Sequence, residues 1–397
     1  MLYYFSKLRF LPTFLNQRSI AIGDSIYRTY PFFFILCFTY FSVFYSNISF
    51  AQTSLTQAAP PSTTYRYMSI GAMRKTADFI YQKHLIASDK QFYGMVVYVD
   101  APDFGHFHAY AFPKISKPFV LVTGSGEQDN SIPSELYIRI SNHQSPRPVY
   151  DKQTDCRNCH ARDILDHPLL LHWFTVNYDG SVVHPKLTPI PLGPNFLRLD
   201  INAQRKPIHS RYIDWGEPKP YLEQESELAR SAFQARHSVK RRLQIFYDAH
   251  LNETSRRWIT HPLRQAYPNT KFLSRSGIAA FFKDRSFFHV QHKRQPRIAQ
   301  WQDREHFLFS ISPVGKGLDC YRTWESLILG QVVIVQKGPL DPLYVDLPVV
   351  VVDSWEEVTP ANLRTWSLKF REQTQDVKIH EKLGFDYWYK KVHGYKV

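Results

Sequence analysis

The sequence predicts an α/β chain with two doubly wound domains, and three observations predict it. Mainly apolar runs of strand length recur at 94–100 (GMVVYVD), 119–123 (FVLVT), 171–177 (LHWFTVN), 243–247 (LQIFY), 306–311 (HFLFSI), 332–336 (VVIVQ) and 349–352 (VVVV). Near-continuous apolar runs suit strands of a parallel sheet, because helices cover both of its faces. Helix-prone stretches lie between them, the clearest being the polar segment 218–239, and that alternation indicates parallel sheets rather than a sandwich. The two series of strands divide near residue 235. One domain is therefore expected over 66–235, and a second over 236–397 that closes with helices.

The amino-terminal region carries a different pattern. Lys7, Arg9, Arg18 and Arg28 precede an uncharged, aromatic run from Pro31 to Phe50, about the twenty residues that a helix needs to cross a bilayer. The expected arrangement is a cytosolic tail at 1–30, a signal anchor and transmembrane helix at 31–50, and a Ser/Thr/Pro/Ala-rich stem at 51–65. Basic residues on the amino-terminal flank stay cytosolic. That makes the chain a single-pass type II protein of the ER or Golgi membrane, with its domains in the lumen. A cleaved signal peptide ending near Ala51, with a secreted or luminal product, is the competing reading.

Composition narrows the class. A chain of 397 residues with 44% hydrophobic, 21% charged and 15% aromatic residues is neither disordered nor fibrous. The net charge of +14 is spread along the chain, and its clusters, Lys240-Arg241-Arg242 and His292-Lys293-Arg294, are short. No nucleic-acid-binding motif accompanies them, so a solvated basic surface is expected and nucleic acid is not expected as a partner. Asn252 opens an Asn-Glu-Thr glycosylation acceptor. Beyond Cys37 in the membrane run, the cysteines are Cys156, Cys159 and Cys320, an odd number that closes one internal pair at most.

The segment from His306 to Val352 carries the chemistry. It reads as a strand, a loop with Ser312, Gly315, Lys316 and Gly317, a helix, a stop at Gly330 and another strand. The glycines let the backbone approach a ligand closely, and the helix amino terminus suits a diphosphate, with Lys316 and Arg322 adding charge. Tyr321, Trp324 and Ile328 form an apolar stripe, and Glu325 falls on it. A carboxylate there needs a partner. Two are open: a pair of ribose hydroxyls, or a structural salt bridge with Arg322 or a neighbouring lysine.

This block resembles the carboxy-terminal signature of the exostosin-type glycosyltransferases. In those proteins a Ser-Pro, glycine-bearing loop precedes an Asp, an Arg and a Trp-Glu pair, followed by a Pro-Leu-rich turn, matched here by residues 338–343 (GPLDPL). Residues 172–177 and 184–193 are similar to the family's amino-terminal segment that ends in a proline–glycine turn. Residues 246–257 resemble the opening of its carboxy-terminal domain, and the matches run in order over roughly 115–360. The resemblance implies two Rossmann-like domains facing a cleft (the GT-B type), with the nucleotide-sugar held mainly by the second. It assigns Ser312, Gly315, Gly317, Asp319, Arg322 and Glu325 to the donor site, and Lys316 and Arg257 (or Arg256) join them as neighbouring cations.

The function so implied is inverting transfer of a hexosyl or pentosyl group to a glycan, glycoprotein or polysaccharide acceptor, with a uridine diphosphate-linked donor expected. A catalytically inactive lectin or assembly subunit of the same fold is the alternative, and a homo- or heterodimer is left open. No Asp-x-Asp pair stands at a strand end, so no metal and no cofactor are expected. The base that takes the acceptor proton is expected on the first domain, with Asp129 and Glu127 as candidates and His106 or His108 behind them. The loop 124–129 (GSGEQD) departs from the relatives' pattern, which is where the alternative gains. Residues 156–160 (CRNCH) match a haem-attachment pattern. Five residues are weak support for haem at Cys156, Cys159 and His160. Half of a zinc site with His160 and His167 or His172 ranks above it, and a local disulfide or two free thiols ranks first.

Overall fold

The computed structural model describes residues 65–81, 96–124, 133, 159–196, 219–237, 240–251, 263, 266–293, 295–315, 317–375 and 380–395. The chain divides into Met1–Ser62 and Thr63–Val397, and every described residue belongs to the second unit. The expected tail and anchor lie outside the described residues, as does all but the end of the stem. Among the described residues no helix is long and apolar enough to cross a membrane.

The first sheet is assembled from α1 (Ile70–Thr76), β1 (Phe79–Tyr81), β2 (Val96–Asp100), β3 (Phe119–Gly124), α2 (Cys159–Leu165), β4 (Leu170–Thr175) and β5 (Leu187–Pro189). Its five strands are parallel and lie in the order of the sequence, β1-β2-β3-β4-β5. Every residue of β2 and β3 is buried but for Asp100, as their apolar runs demand. The turns over residues 101–114 mix 3-10, α- and π-helical geometry.

The second sheet follows α3 (Tyr221–His237). It comprises β6 (Arg242–Tyr247), α4 (Arg275–Phe282), β7 (Phe288–Val290), α5 (Arg297–Glu305), β8 (Phe307–Ile311), α6 (Tyr321–Ile328), β9 (Val332–Gln336), α7 (Asp341–Tyr344) and β10 (Val349–Val352). Then come α8 (Pro360–Lys369), α9 (Arg371–Gln375) and α10 (Phe385–His393). These five strands are also parallel, in the order β10-β9-β8-β6-β7. The chain steps one way from β6 to β7 and the other way from β6 to β8, so this sheet is doubly wound.

The expected α/β chain with two parallel sheets is what the molecule has, with one correction. The first sheet is not doubly wound, because its strand order never reverses. All seven strands expected from apolar runs are present. The three without such a signal, β1, β5 and β7, have three residues each and lie at sheet edges, too short for a period to register.

Two large hydrophobic clusters hold the unit together. One gathers the first sheet, α3, the inner face of α6 and, from the second sheet, Val333, Val335 and Val349, with Trp301 and Trp324 among its members. The other packs the second sheet against Phe282, Trp355, Leu363 and Phe370. Phe385, Trp388 and Val392 of α10 belong to the first cluster. The last helix, placed with 236–397 by the sequence, thus packs into the core that includes the first sheet.

Candidate functional site

In an open parallel sheet, ligands settle at the carboxyl ends of the strands where the strand order reverses. That point here lies between β6 and β8. Asp248 follows β6 and Ser312 follows β8, and both are buried.

Asp248 is the centre of an internal ion network. Arg304 of α5 donates to its Oδ2 from Nε at 2.9 Å and from Nη2 at 2.5 Å, and Arg322 of α6 donates from Nε to Oδ1. Burial opposes ionisation of Asp248, but the two guanidiniums outweigh it and hold the carboxyl well below the usual carboxylate range. Arg304 continues from Nη1 to Glu325 Oε2 at 2.9 Å, where the Trp301 indole also donates at 3.2 Å. The side chains of Asp248, Arg304, Arg322 and Glu325 are 1%, 3%, 9% and 7% exposed, so water does little to screen the set.

This network decides the partner of Glu325. Of the two partners left open by its place on the apolar stripe, the structure supplies the salt bridge, made by Arg304 rather than Arg322 or a lysine. Arg322 spends its charge on Asp248, and its Nη1 approaches Cys320 Sγ at 3.3 Å. Asp319 is also engaged within the protein. Its carboxylate accepts from Leu192 N at 2.8 Å, from Cys320 N at 2.7 Å and from the Trp324 indole at 2.8 Å. Its own N–H donates to Asn177 Oδ1 at 2.7 Å. Asp319 therefore ties the loop before α6 to the carboxyl ends of β4 and β5.

The glycine-bearing loop is different. A Cβ on Gly315 would meet Arg275 Nη2 at 2.0 Å, so the space the glycine opens is filled by a guanidinium. Arg275, the first residue of α4, also donates from Nε to Val314 O at 3.3 Å, and its carbonyl accepts from the Tyr247 hydroxyl at 2.8 Å. Gly317 is buried and its carbonyl accepts from Gly315 N at 2.9 Å. Ser312 accepts from Thr323 Oγ1 at 2.8 Å. The flanking residue Cys320 makes no side-chain cap at the amino terminus of α6, and the Asp319 carboxylate, which accepts from Cys320 N, stands beside that positive dipole end.

Beside the loop, at the carboxyl ends of β8 and β9, is a narrow cleft open to solvent. Phe272, Leu318 and Tyr344 give it apolar walls, and Ser312, Lys337 and Asp341 give it polar ones. Lys337 reaches Asp353 at 3.5 Å in an exposed pair, an interaction of small net worth that a ligand can exchange. Burial pushes the Asp341 carboxyl up to about 6. The Pro-Leu turn expected from the sequence (Gly338–Leu343) forms one side of this cleft.

No family model matches the chain, and no curated protein matches it. Among solved structures that resemble it is the catalytic domain of Starch Synthase IV from Arabidopsis thaliana bound to ADP and acarbose. The identity is 10%, the match covers 75% of this chain and 72% of that one, and the TM-score is 0.32. Likeness at that level carries no argument about function.

Asp129, Glu127, Lys316, Arg256, Arg257 and Cys156 lie outside the described residues. Cys159 and His160 open α2. His106 and His108 sit on the turns after β2, where the Tyr81 hydroxyl meets His106 Nδ1 at 2.6 Å and His108 Nε2 lies 3.5 Å from Asp163. Sequence reasoning missed Asp248, Arg304 and Arg275. Asp248 stood in the quoted segment 246–257, and a charged residue directly after an apolar strand was its only signal. Arg304 and Arg275 bore none, because their partners are far away in sequence.

Proposed function

We propose that this chain is a glycosyltransferase that binds a nucleotide-sugar in the cleft over β8 and β9. The observation that carries the reading is a run of three features along the loop from Ser312 to α6, which borders that cleft at Ser312, Val314 and Leu318. They are the Arg275 guanidinium seated on the Gly315 loop, the amino-terminal end of α6, and apolar walls beside Ser312 and Lys337. A diphosphate needs the first two, and a nucleoside needs the third. Arg275 takes the role the sequence gave Arg322, since Arg322 is committed to Asp248. As the bond to the sugar breaks, charge gathers on the departing diphosphate, and Arg275 with the loop N–H groups stabilises it. The exostosin-type resemblance supports inverting transfer from a uridine diphosphate donor to a glycan or glycoprotein acceptor. The apolar run at 31–50 supports a membrane-anchored, luminal enzyme.

The test is calorimetric binding of nucleoside diphosphates together with hydrolysis of a panel of nucleotide-sugars. Gly338→Leu is the variant that fills the cleft. A Cβ there meets nothing closer than Gln336 O at 3.9 Å, so the new side chain has room without distorting the backbone. Expected are binding and slow hydrolysis by the wild type, and a loss of affinity of roughly tenfold or more in the variant. Failure of the wild type to bind any diphosphate defeats the reading. One observation favours a second reading, a carbohydrate-binding subunit without turnover: Asp319, Arg322 and Glu325 all have protein partners. Binding without hydrolysis or transfer would select it.

A further inference from the structure

A glycosyl transfer needs a group to take the acceptor's proton, and the cleft over the second sheet carries one carboxyl, Asp341, on the wall proposed for the donor. The first sheet offers another, at a residue the sequence did not single out. We propose that Asp100, the last residue of β2, is the proton acceptor, an assignment that rests on the glycosyltransferase reading above.

Four features of its setting point there. Asp100 ends a strand of a parallel sheet at the carboxyl edge, where α/β sites form. It occupies the position before the helical turn Ala101–Asp103 yet makes no capping hydrogen bond, so the ordinary structural use of an Asp at that place is absent. Its carboxylate is held instead by side chains: the Tyr98 hydroxyl donates to Oδ1 at 3.2 Å, and Arg74 Nε of α1 lies 3.6 Å from Oδ2. It is 27% exposed, so a substrate can reach it.

The same edge turns towards the nucleotide loop. Gly124, the register partner of Asp100 on β3, lets the Ile70 side chain and the Tyr98 hydroxyl pack against its backbone, and a Cβ there would approach them to 2.4 Å and 2.8 Å. Tyr321, the first residue of α6, bears electrostatically on Tyr98. Leu192 and Asn177, from the carboxyl ends of β5 and β4, bond to Asp319 two residues before α6. The end of α6 that would face a diphosphate is thus tied to the carboxyl edge of the first sheet, the edge at which β2 ends in Asp100.

In the step, the acceptor oxygen forms a bond to the anomeric carbon while the bond from that carbon to the diphosphate oxygen breaks. The electron pair leaves with the diphosphate. The acceptor's proton passes to Asp100 Oδ2, the oxygen to which Tyr98 does not donate. Burial raises the Asp100 carboxyl, against the pull of Arg74 and Tyr98 and with a further push from Asp103, which makes it a better base than a free aspartate. Burial also keeps the Tyr98 phenol protonated as a donor.

The experiment uses the full chain, with uridine diphosphate as the binding probe and water as the acceptor in nucleotide-sugar hydrolysis. Asp100→Asn is expected to lower kcat by about a hundredfold or more, with uridine diphosphate affinity within about threefold of wild type. The acidic limb of the wild-type pH–rate profile should vanish. Tyr98→Phe removes one hydroxyl, keeps the ring, and should move that limb to higher pH. It carries the test if Asp100→Asn does not fold. Retained turnover in Asp100→Asn, parallel loss of diphosphate binding, or an unmoved limb in Tyr98→Phe would overturn the assignment of Asp100 alone. Absence of both binding and hydrolysis in the wild type would instead remove the glycosyltransferase reading beneath it.

Discussion

Glu225 shows how one buried group ties stability to pH. It is 4% exposed on α3, and its carboxylate accepts from Arg66 N at 3.2 Å and from Tyr67 N at 3.1 Å. Burial nonetheless wins over these donors and pushes it up to about 7, from 4.5. A carboxyl raised on folding is protonated more readily in the native state than in the unfolded chain. Its contribution is therefore full below the unfolded value and is lost as pH rises from 4.5 through about 7. The shift corresponds to something on the order of 3 kcal/mol. Glu225→Gln should remove about 2 kcal/mol from the difference in unfolding free energy between pH 5 and pH 8, measured in urea. An unchanged difference would show that the carboxylate stays ionised. At this scale the sequence was legible where spacing governs. The helical period showed that Glu325 lay on a buried stripe, but it relates only residues three or four apart. Arg304, on another helix, was out of its reach.

Helix α6 is held asymmetrically. Arg236 of α3 donates to the carbonyls of Ile328 and Leu327, and Arg241, just before β6, to those of Gly330 and, at 2.6 Å, Leu329. Two cations therefore cover the carboxyl end, where the helix dipole favours them. Gly330 at φ 79° closes the helix, and Gln331 N reaches back to Ser326 O at 2.9 Å. Burial lowers Arg241 to about 10, which still leaves it charged at neutral pH. Arg241→Met should cost about 1–3 kcal/mol by leaving two carbonyls unpaired. Amide exchange at Leu329, Gly330 and Gln331 should speed up in that variant while exchange in β3 stays as it was. Equal exchange at these amides would mean that the arginine is ornamental. The Gly stop was visible in the sequence. The purpose of Lys240-Arg241-Arg242 was not, because a basic triplet looks the same whether solvated or turned inward. The two sheets were legible because buried parallel strands need apolar faces on both sides.

Across the whole molecule, the two sheets share a hydrophobic cluster, and buried polar bonds set among it also join them. Asp319 bonds to Leu192 and Asn177, and Arg297 of α5 donates to Gln224 Oε1 at 2.7 Å and to Asn195 O. Asn177 adopts φ 53°, a conformation that asparagine tolerates better than most residues. Asp319→Ala would leave Leu192 N, Cys320 N and the Trp324 indole without their acceptor, at about 1–3 kcal/mol for each buried group. The expected result is loss of coupling: denaturant transitions followed by tryptophan fluorescence and by far-ultraviolet circular dichroism, coincident in the wild type, should separate. Coincident transitions in the variant would place the coupling elsewhere. None of these joints was legible in the sequence, since each pairs residues distant along the chain.

The docking of α10 onto the first sheet also sets an order of events during synthesis. Strands β1 to β5 leave the ribosome long before Phe385, Trp388 and Val392, yet those three side chains belong to the same hydrophobic cluster as the sheet. The first sheet must wait with part of its apolar surface uncovered, while the second sheet emerges with its cluster almost complete by Phe370. The half made first is the half finished last. Chaperone contact during translation is accordingly expected to fall on the older segment of the chain.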